Sequence, residues 1–143
     1  MKAINVSRVS TEEQKEAGNS LPAQIERVKS YCNKKSFPVV RSFSFDESAY
    51  KDKRDEFDKL LDYVQEIAKK EKVAVCFDKV DRLSRSVFDK RVGTLYEMAV
   101  ADKIELHFVS EGQIINNEMS ATDKFRFGMS LGLAKYYSDA IGD

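Results

Sequence analysis

Apolar positions along the chain fall into short runs whose spacing switches between that of a strand and that of a helix. Lys2–Val9 holds Ile4, Val6 and Val9 in a short run and reads as a first strand. Residues 20–35 place Leu21, Ile25, Val28 and Cys32 at helical spacing, with Ser20 as a cap and Pro22 in the first turn. Phe37–Phe45 is β-branched and aromatic and predicts a second strand, followed by a polar loop of high charge density over Asp46–Lys53. Residues 54–70 give an amphipathic helix through Phe57, Leu60, Leu61, Val64, Ile67 and Ala68. Val73–Phe77 is continuously apolar, as a central strand buried on both faces must be. A helix over Val87–Val100 and a fourth strand over Ile104–Val109 follow.

This alternation predicts an α/β fold, an open and mostly parallel sheet flanked by helices on both faces. Ligands of such sheets bind beyond the carboxyl ends of the strands, near the point where the strand order reverses. That rule selects three loops, 8–19, 46–54 and 78–86. The last predicted helix, residues 120–140, departs from the pattern because Phe125, Phe127, Met129, Leu131, Leu133, Tyr136 and Tyr137 spread round most of its circumference. One apolar stripe suffices for a helix on a single core, so this one is expected to bury itself against another subunit or domain. Gly128 and Gly132, four apart, admit a close neighbouring helix, although on their own they fit an internal core helix better. The end of the chain soon after this helix reads as a cut in a longer protein.

Composition narrows the class. At 143 residues the chain suits one domain with one core, and six Gly and two Pro are too few for a disordered chain of this apolar content. The 24 Lys+Arg balance 24 Asp+Glu, which argues against a domain that grips nucleic acid by bulk charge. No apolar run approaches the roughly 18–20 residues of a membrane span, and the N-terminus lacks the apolar stretch of a signal peptide. Cys32 and Cys76 have no framework spacing, so a reducing, cytoplasmic setting is expected.

The three loops carry the candidate chemistry: Arg8, Ser10 and Thr11 on the first, Asp46 and Arg54 on the second, Asp81, Arg82, Ser84 and Arg85 on the third. Singly, a Ser after a strand is a turn or cap residue and an Arg near a helix start is solvated. Together, four arginines and a hydroxyl nucleophile at one sheet edge suit phosphoryl transfer, because guanidinium forks match phosphate oxygens and stay charged at any relevant pH. A Ser-His-Asp hydrolase is disfavoured, since the single His107 falls within the fourth strand and is expected to be structural. The Cys32, Cys76 and His107 set has no zinc-ligand spacing. Cys76 and Arg82 have the spacing of a cysteine phosphatase loop, but Phe77, Asp78, Val80 and Asp81 between them suit neither a glycine-rich cradle nor a phosphate dianion. A metal-dependent nuclease using Asp46, Glu47, Asp78 and Asp81 leaves the arginines with less to do. A catalytically inert phosphate-binding or oligomerisation module is the remaining alternative.

Arg8-Val9-Ser10-Thr11 with Gln14, Gln24 on the first helix, Asp46 with Arg54, and Asp81-Arg82-Leu83-Ser84-Arg85 together resemble the catalytic domain of the serine site-specific recombinases, the resolvases, invertases and large serine integrases. The resemblance covers essentially the whole chain. It implies DNA strand cleavage and rejoining through a covalent 5′-phosphoserine intermediate on Ser10, with neither nucleotide cofactor nor metal. It assigns Arg8, Arg82 and Arg85 to the scissile phosphate, Arg54 to added charge or loop organisation, Asp81 to orienting the arginines, and Gln24 and Asp46 to support. It also implies that residues 119–143 begin a long helix for dimer and synaptic tetramer formation, that double-stranded recombination-site DNA is the partner, and that a DNA-binding region lies beyond residue 143. The expected setting is the cytoplasm, at a bacterial or phage nucleoid. Two positions depart from the family pattern: Val6 stands where Tyr is usual, and the second loop carries Tyr50 near the place of a common Ser.

Overall fold

The computed structural model describes residues 1–9, 20–46, 53–79 and 90–127, and the backbone alone at residues 9, 46, 53–56 and 90–92. Five strands, β1 (Lys2–Val9), β2 (Val39–Asp46), β3 (Val73–Phe77), β4 (Ile104–Phe108) and β5 (Gln113–Ile115), form one sheet in the order β2-β1-β3-β4-β5. The first four are parallel, as expected, and β5 returns antiparallel to β4. Gly112, with φ of 63°, supplies the left-handed residue that this reversal needs.

Side-chain alternation divides the core into two unequal layers. Ile4 and Val6 of β1, Phe43 and Phe45 of β2, Val73, Val75 and Phe77 of β3 and Leu106 and Phe108 of β4 face one way. They pack against Phe57, Leu60 and Val64 of α2 (Lys53–Ala68) and Leu95 and Ala99 of α3 (Lys90–Val100). The opposite face is built from small residues, Ala3, Ala74 and Cys76, on which α1 (Leu21–Lys34) lays Val28 and Cys32. Small side chains let a single helix approach the sheet closely there, so α1 lies over β1, and Val28 and Cys32 also pack with Ala74 and Cys76 of β3.

Local signals set the ends of α1. The Ser20 hydroxyl accepts from the Ala23 N–H at 3.3 Å, and proline occupies the first turn. At the other end the Phe37 N–H reaches the Cys32 carbonyl at 2.8 Å and the Ser36 N–H the Asn33 carbonyl at 3.2 Å, with Ser36 at φ 60°. This is the Schellman arrangement with serine where glycine is usual. α3 closes in the same way through Lys103 to Met98 and Asp102 to Ala99, with Asp102 at φ 67°.

Of the long helix expected over residues 120–140, helical backbone is described at 121–127. Ser120 caps it by accepting from the Asp123 N–H at 3.1 Å. Phe127 is buried between Tyr96 and Phe108, and the Tyr96 hydroxyl donates to the Lys124 carbonyl. Phe125, on the other side, is 67% exposed. Among the described residues no helix is long and apolar enough to cross a membrane.

Candidate active site

The strand order reverses between β1 and β3, since β1 connects outward to β2 while β3 begins the run in the other direction. The crevice beyond the carboxyl ends of these two strands is where the fold class binds its ligands. β1 ends with Arg8 and Val9, immediately before Ser10, and β3 ends at Phe77, four residues before Asp81. Parallel pairing of Val6 with Phe77 brings these two ends side by side.

Gln24 fixes the first end. It is fully buried on α1, where its Oε1 accepts from the Arg8 N–H at 3.1 Å and its Nε2 donates to the Arg8 carbonyl at 2.9 Å. One carboxamide thus satisfies both polar groups of a residue whose neighbour in the sheet is about to diverge. Arg8 itself is only 4% exposed, so its charge is poorly screened by solvent.

Asp78 fixes the second end. It is the first residue after β3 and is 0% exposed. Arg27, one helical turn from Gln24 on α1, donates from Nε to Oδ1 at 2.9 Å and from Nη2 to Oδ2 at 2.7 Å, a bidentate fork. The Ser110 hydroxyl, just past β4, donates to Oδ1 at 2.5 Å, and the Ser110 N–H donates to the Asp78 carbonyl at 2.9 Å. Burial pushes the Asp78 carboxyl up, but the hydrogen bonds from Arg27 and Ser110 outweigh it and hold the group below its ordinary 3.8. Asp78 is therefore an ionised, neutralised anchor, and both of its oxygens are already engaged; this sets it apart from the metal-ligand role considered from sequence.

Of the residues named from sequence, Arg8 and Gln24 are brought together as described. The backbone puts Asp46 at the end of β2, in register with Val9, and Arg54 in the first turn of α2. Ser10, Asp81, Arg82 and Arg85 lie outside the described residues. The Arg27–Asp78–Ser110 network was not anticipated, because its members are 51 and 32 residues apart. The one sequence signal for it is an arginine three positions after Gln24, facing an acid directly after a fully buried strand.

The remaining candidates are structural. His107 is 2% exposed, between Glu105 at Nε2 (2.9 Å) and the Tyr31 hydroxyl at Nδ1 (2.7 Å). A carboxylate only accepts, so the ring carries its proton on Nε2 and takes the Tyr31 proton at Nδ1. Burial lowers the His107 pKa below 6.5 against the opposing pull of Glu105, so the ring is neutral. Cys76 lies in the α1 layer with its Sγ 3.8 Å from that of Cys32. That contact and burial push its fully buried thiol up, away from the accessible thiolate a cysteine phosphatase requires.

Comparison with known proteins agrees with this geometry. A family model described as "Resolvase, N terminal domain" matches residues 3–143. Among solved structures, the N-terminal catalytic domain of TP901-1 integrase is similar at 21% identity and a TM-score of 0.65, covering all of both chains. A resolvase family site-specific recombinase from Streptococcus pneumoniae gives 22% and 0.66, over 99% of this chain and 90% of the other. The C-terminal catalytic domain of ISC1926 TnpA, an IS607-like serine recombinase, gives 20% and 0.55 over all of both chains. Similarity at these identities is one of fold. No curated protein matches the chain.

Proposed function

The chain belongs to the resolvase family as an N-terminal domain, a recombinase of site-specific recombination, and from that premise we propose that Ser10 is its nucleophile toward a DNA phosphodiester. In this reading the Ser10 oxygen attacks phosphorus and displaces the 3′-oxygen, leaving a 5′-phosphoserine link and a free 3′-hydroxyl. Attack by a 3′-hydroxyl of the exchanged strand on the same phosphorus releases Ser10 and restores the phosphodiester. One ester replaces another at each step, so the cycle needs no nucleotide hydrolysis, and in this reading the arginines supply the positive charge that a metal would otherwise bring.

The observation that carries the reading is the double hydrogen bond from Gln24 to the Arg8 peptide at the sheet's switch point. It holds the end of β1, two residues before Ser10, in one orientation, which is what a positioned nucleophile needs. Arg8, Arg82 and Arg85 supply positive charge to the phosphate oxygens as charge spreads over them, and the same charge favours deprotonation of Ser10. Asp81 orients the arginines, Arg54 adds charge from the start of α2, and Asp46 supports the site from the end of β2.

Self-association into a dimer and a synaptic tetramer is assigned to the terminal helix. Phe125, exposed opposite the docked Phe127, supports that assignment, because a helix fastened to its own domain by one side still presents an aromatic ring on the other. The setting is the cytoplasm, on nucleoid DNA of a bacterium or phage.

The test is a nicked suicide duplex of the recombination site incubated with the full-length protein. A covalent protein–DNA adduct should form, persist in EDTA, and vanish in Ser10→Ala. Adduct formation that survives Ser10→Ala, or that EDTA abolishes, overturns the assignment.

A further inference from the structure

The Arg27–Asp78–Ser110 network does nothing in the mechanism above, yet it engages both carboxylate oxygens of Asp78. Asp78 receives two guanidinium hydrogen bonds from α1, a hydroxyl hydrogen bond from the residue after β4, and a main-chain hydrogen bond at its own carbonyl. We propose that this network is the positioning device of the third loop: Asp78 and Arg27 fix the point from which the chain runs to Asp81, Arg82 and Arg85, and so set where those groups meet the phosphate. The proposal rests on the reading that residues 81–85 serve the scissile phosphate.

Three observations carry it. First, Asp78 is fully buried while the Arg27 side chain is 38% exposed, so the pair chiefly offsets the cost of burying a carboxylate, and what it adds beyond that is a fixed geometry. Here the geometry is a fork, which constrains angle as well as distance, with a third bond from a different element. Second, three residues of chain span at most about 10 Å, so anchoring Asp78 confines Asp81 and, through it, Arg82. Transition-state contacts lose on the order of 100-fold in rate for a misplacement of about 1 Å, and an anchor this near is within range to matter. Third, Arg27 and Gln24 are one turn apart on the same helix, and Gln24 holds the main chain two residues before Ser10. α1 is therefore a single rigid element that grips both strand ends and sets the first loop against the third.

The pairing also resolves a difficulty of charge. An acid at the end of β3 faces a site meant for a phosphate, and alone it repels one. With its charge engaged by Arg27, Asp78 contributes rigidity without that repulsion.

The test measures single-turnover adduct formation by the full-length protein on a nicked suicide duplex, with amide hydrogen exchange on the same variants. Asp78→Asn and Arg27→Lys, which keeps the charge and loses the fork, should each slow adduct formation roughly tenfold or more, and Ser110→Ala about threefold. The DNA concentration giving half the maximal rate should stay within about twofold, as expected when positioning and not binding is lost. Exchange should quicken over residues 79–86 while β1 keeps its protection. If Asp78→Asn does not fold, Arg27→Lys and Ser110→Ala decide. Wild-type rates in Arg27→Lys and Asp78→Asn overturn the proposal, as does exchange that rises equally throughout the sheet. Full-rate adduct in Ser10→Ala sinks the parent reading, whereas loss in Ser10→Ala beside full rates in the network variants sinks this proposal alone.

Discussion

Gln24 commits both ends of its carboxamide to Arg8, accepting from its main-chain N–H and donating to its carbonyl, and nothing shorter or charged can do the same. Gln24→Ala removes two buried hydrogen bonds and should lower unfolding free energy by about 2–4 kcal/mol, read from urea midpoints. Gln24→Glu keeps the acceptor but sets a carboxylate oxygen against the Arg8 carbonyl, so it should be destabilised although it is nearly isosteric. His107 gives a second residue-scale prediction. Its folded pKa is depressed by burial, so the unfolded chain binds the proton more readily. The stability it contributes is complete above 6.5 and is lost as pH falls from there through the depressed folded value. Wild type should therefore weaken between pH 7 and pH 5 more steeply than His107→Phe, in thermal melts compared at matched pH; parallel curves contradict the assignment. Legibility at this scale was uneven. Gln24 stood out by family resemblance, and His107 by its place in an apolar strand. Arg27 carried only the faint signal of its place three positions after Gln24, because a fork across 51 residues has no footprint in local sequence. Asp78 was weighed only as an acid that repels phosphate or binds metal, since its partner was unseen.

At the scale of elements the sequence was read more closely. β1 and β3 have the bounds that their patterns predict, Lys2–Val9 and Val73–Phe77: β3 is apolar throughout, as a strand buried on both faces must be, and β1 carries Ile4, Val6 and Val9. β5 was missed: three residues, Gln113–Ile115, are too few to show alternation, and the strand exists because Gly112 turns the chain back onto β4. α1 was placed correctly, but its buried stripe is Gln24, Val28 and Cys32, rotated from the expected Leu21, Ile25, Val28 and Cys32. The rotation follows from the sheet beneath it, where Ala3 is small, Asn5 donates to the Ile25 carbonyl, and the Arg8 main chain offers Gln24 a donor and an acceptor. Ser36 tests the end of this helix. A serine held at φ 60° is strained relative to glycine, so Ser36→Gly should raise stability by about 0.5–1 kcal/mol. An unchanged or lower thermal midpoint contradicts that account of the cap. Ser7 offers another element-scale test, since its hydroxyl is buried under α1 with no hydrogen-bond partner among the described residues. Ser7→Ala should cost nothing, and a loss above about 1 kcal/mol would show a partner in solution.

For the whole molecule, 24 Lys+Arg against 24 Asp+Glu leave no excess positive charge with which this domain could hold DNA by bulk electrostatics. Residues 1–143 alone should bind duplex DNA no more tightly than about 10 μM at physiological salt, without sequence preference, in fluorescence anisotropy. The fold itself was legible because alternating periods leave few topologies, and the reversal between β1 and β3 then locates the site. How α1 joins the two loop bases was not legible, since it depends on side chains converging from three elements. The central claim is that Ser10 becomes covalently bound to DNA. It is tested most directly by digesting the trapped adduct with trypsin and nuclease and locating the residual nucleotide by mass spectrometry. The account predicts a nucleotide on the Val9–Lys15 peptide, attached at Ser10 through a 5′-phosphate. A nucleotide on any other residue, or a linkage through a 3′-phosphate, contradicts it.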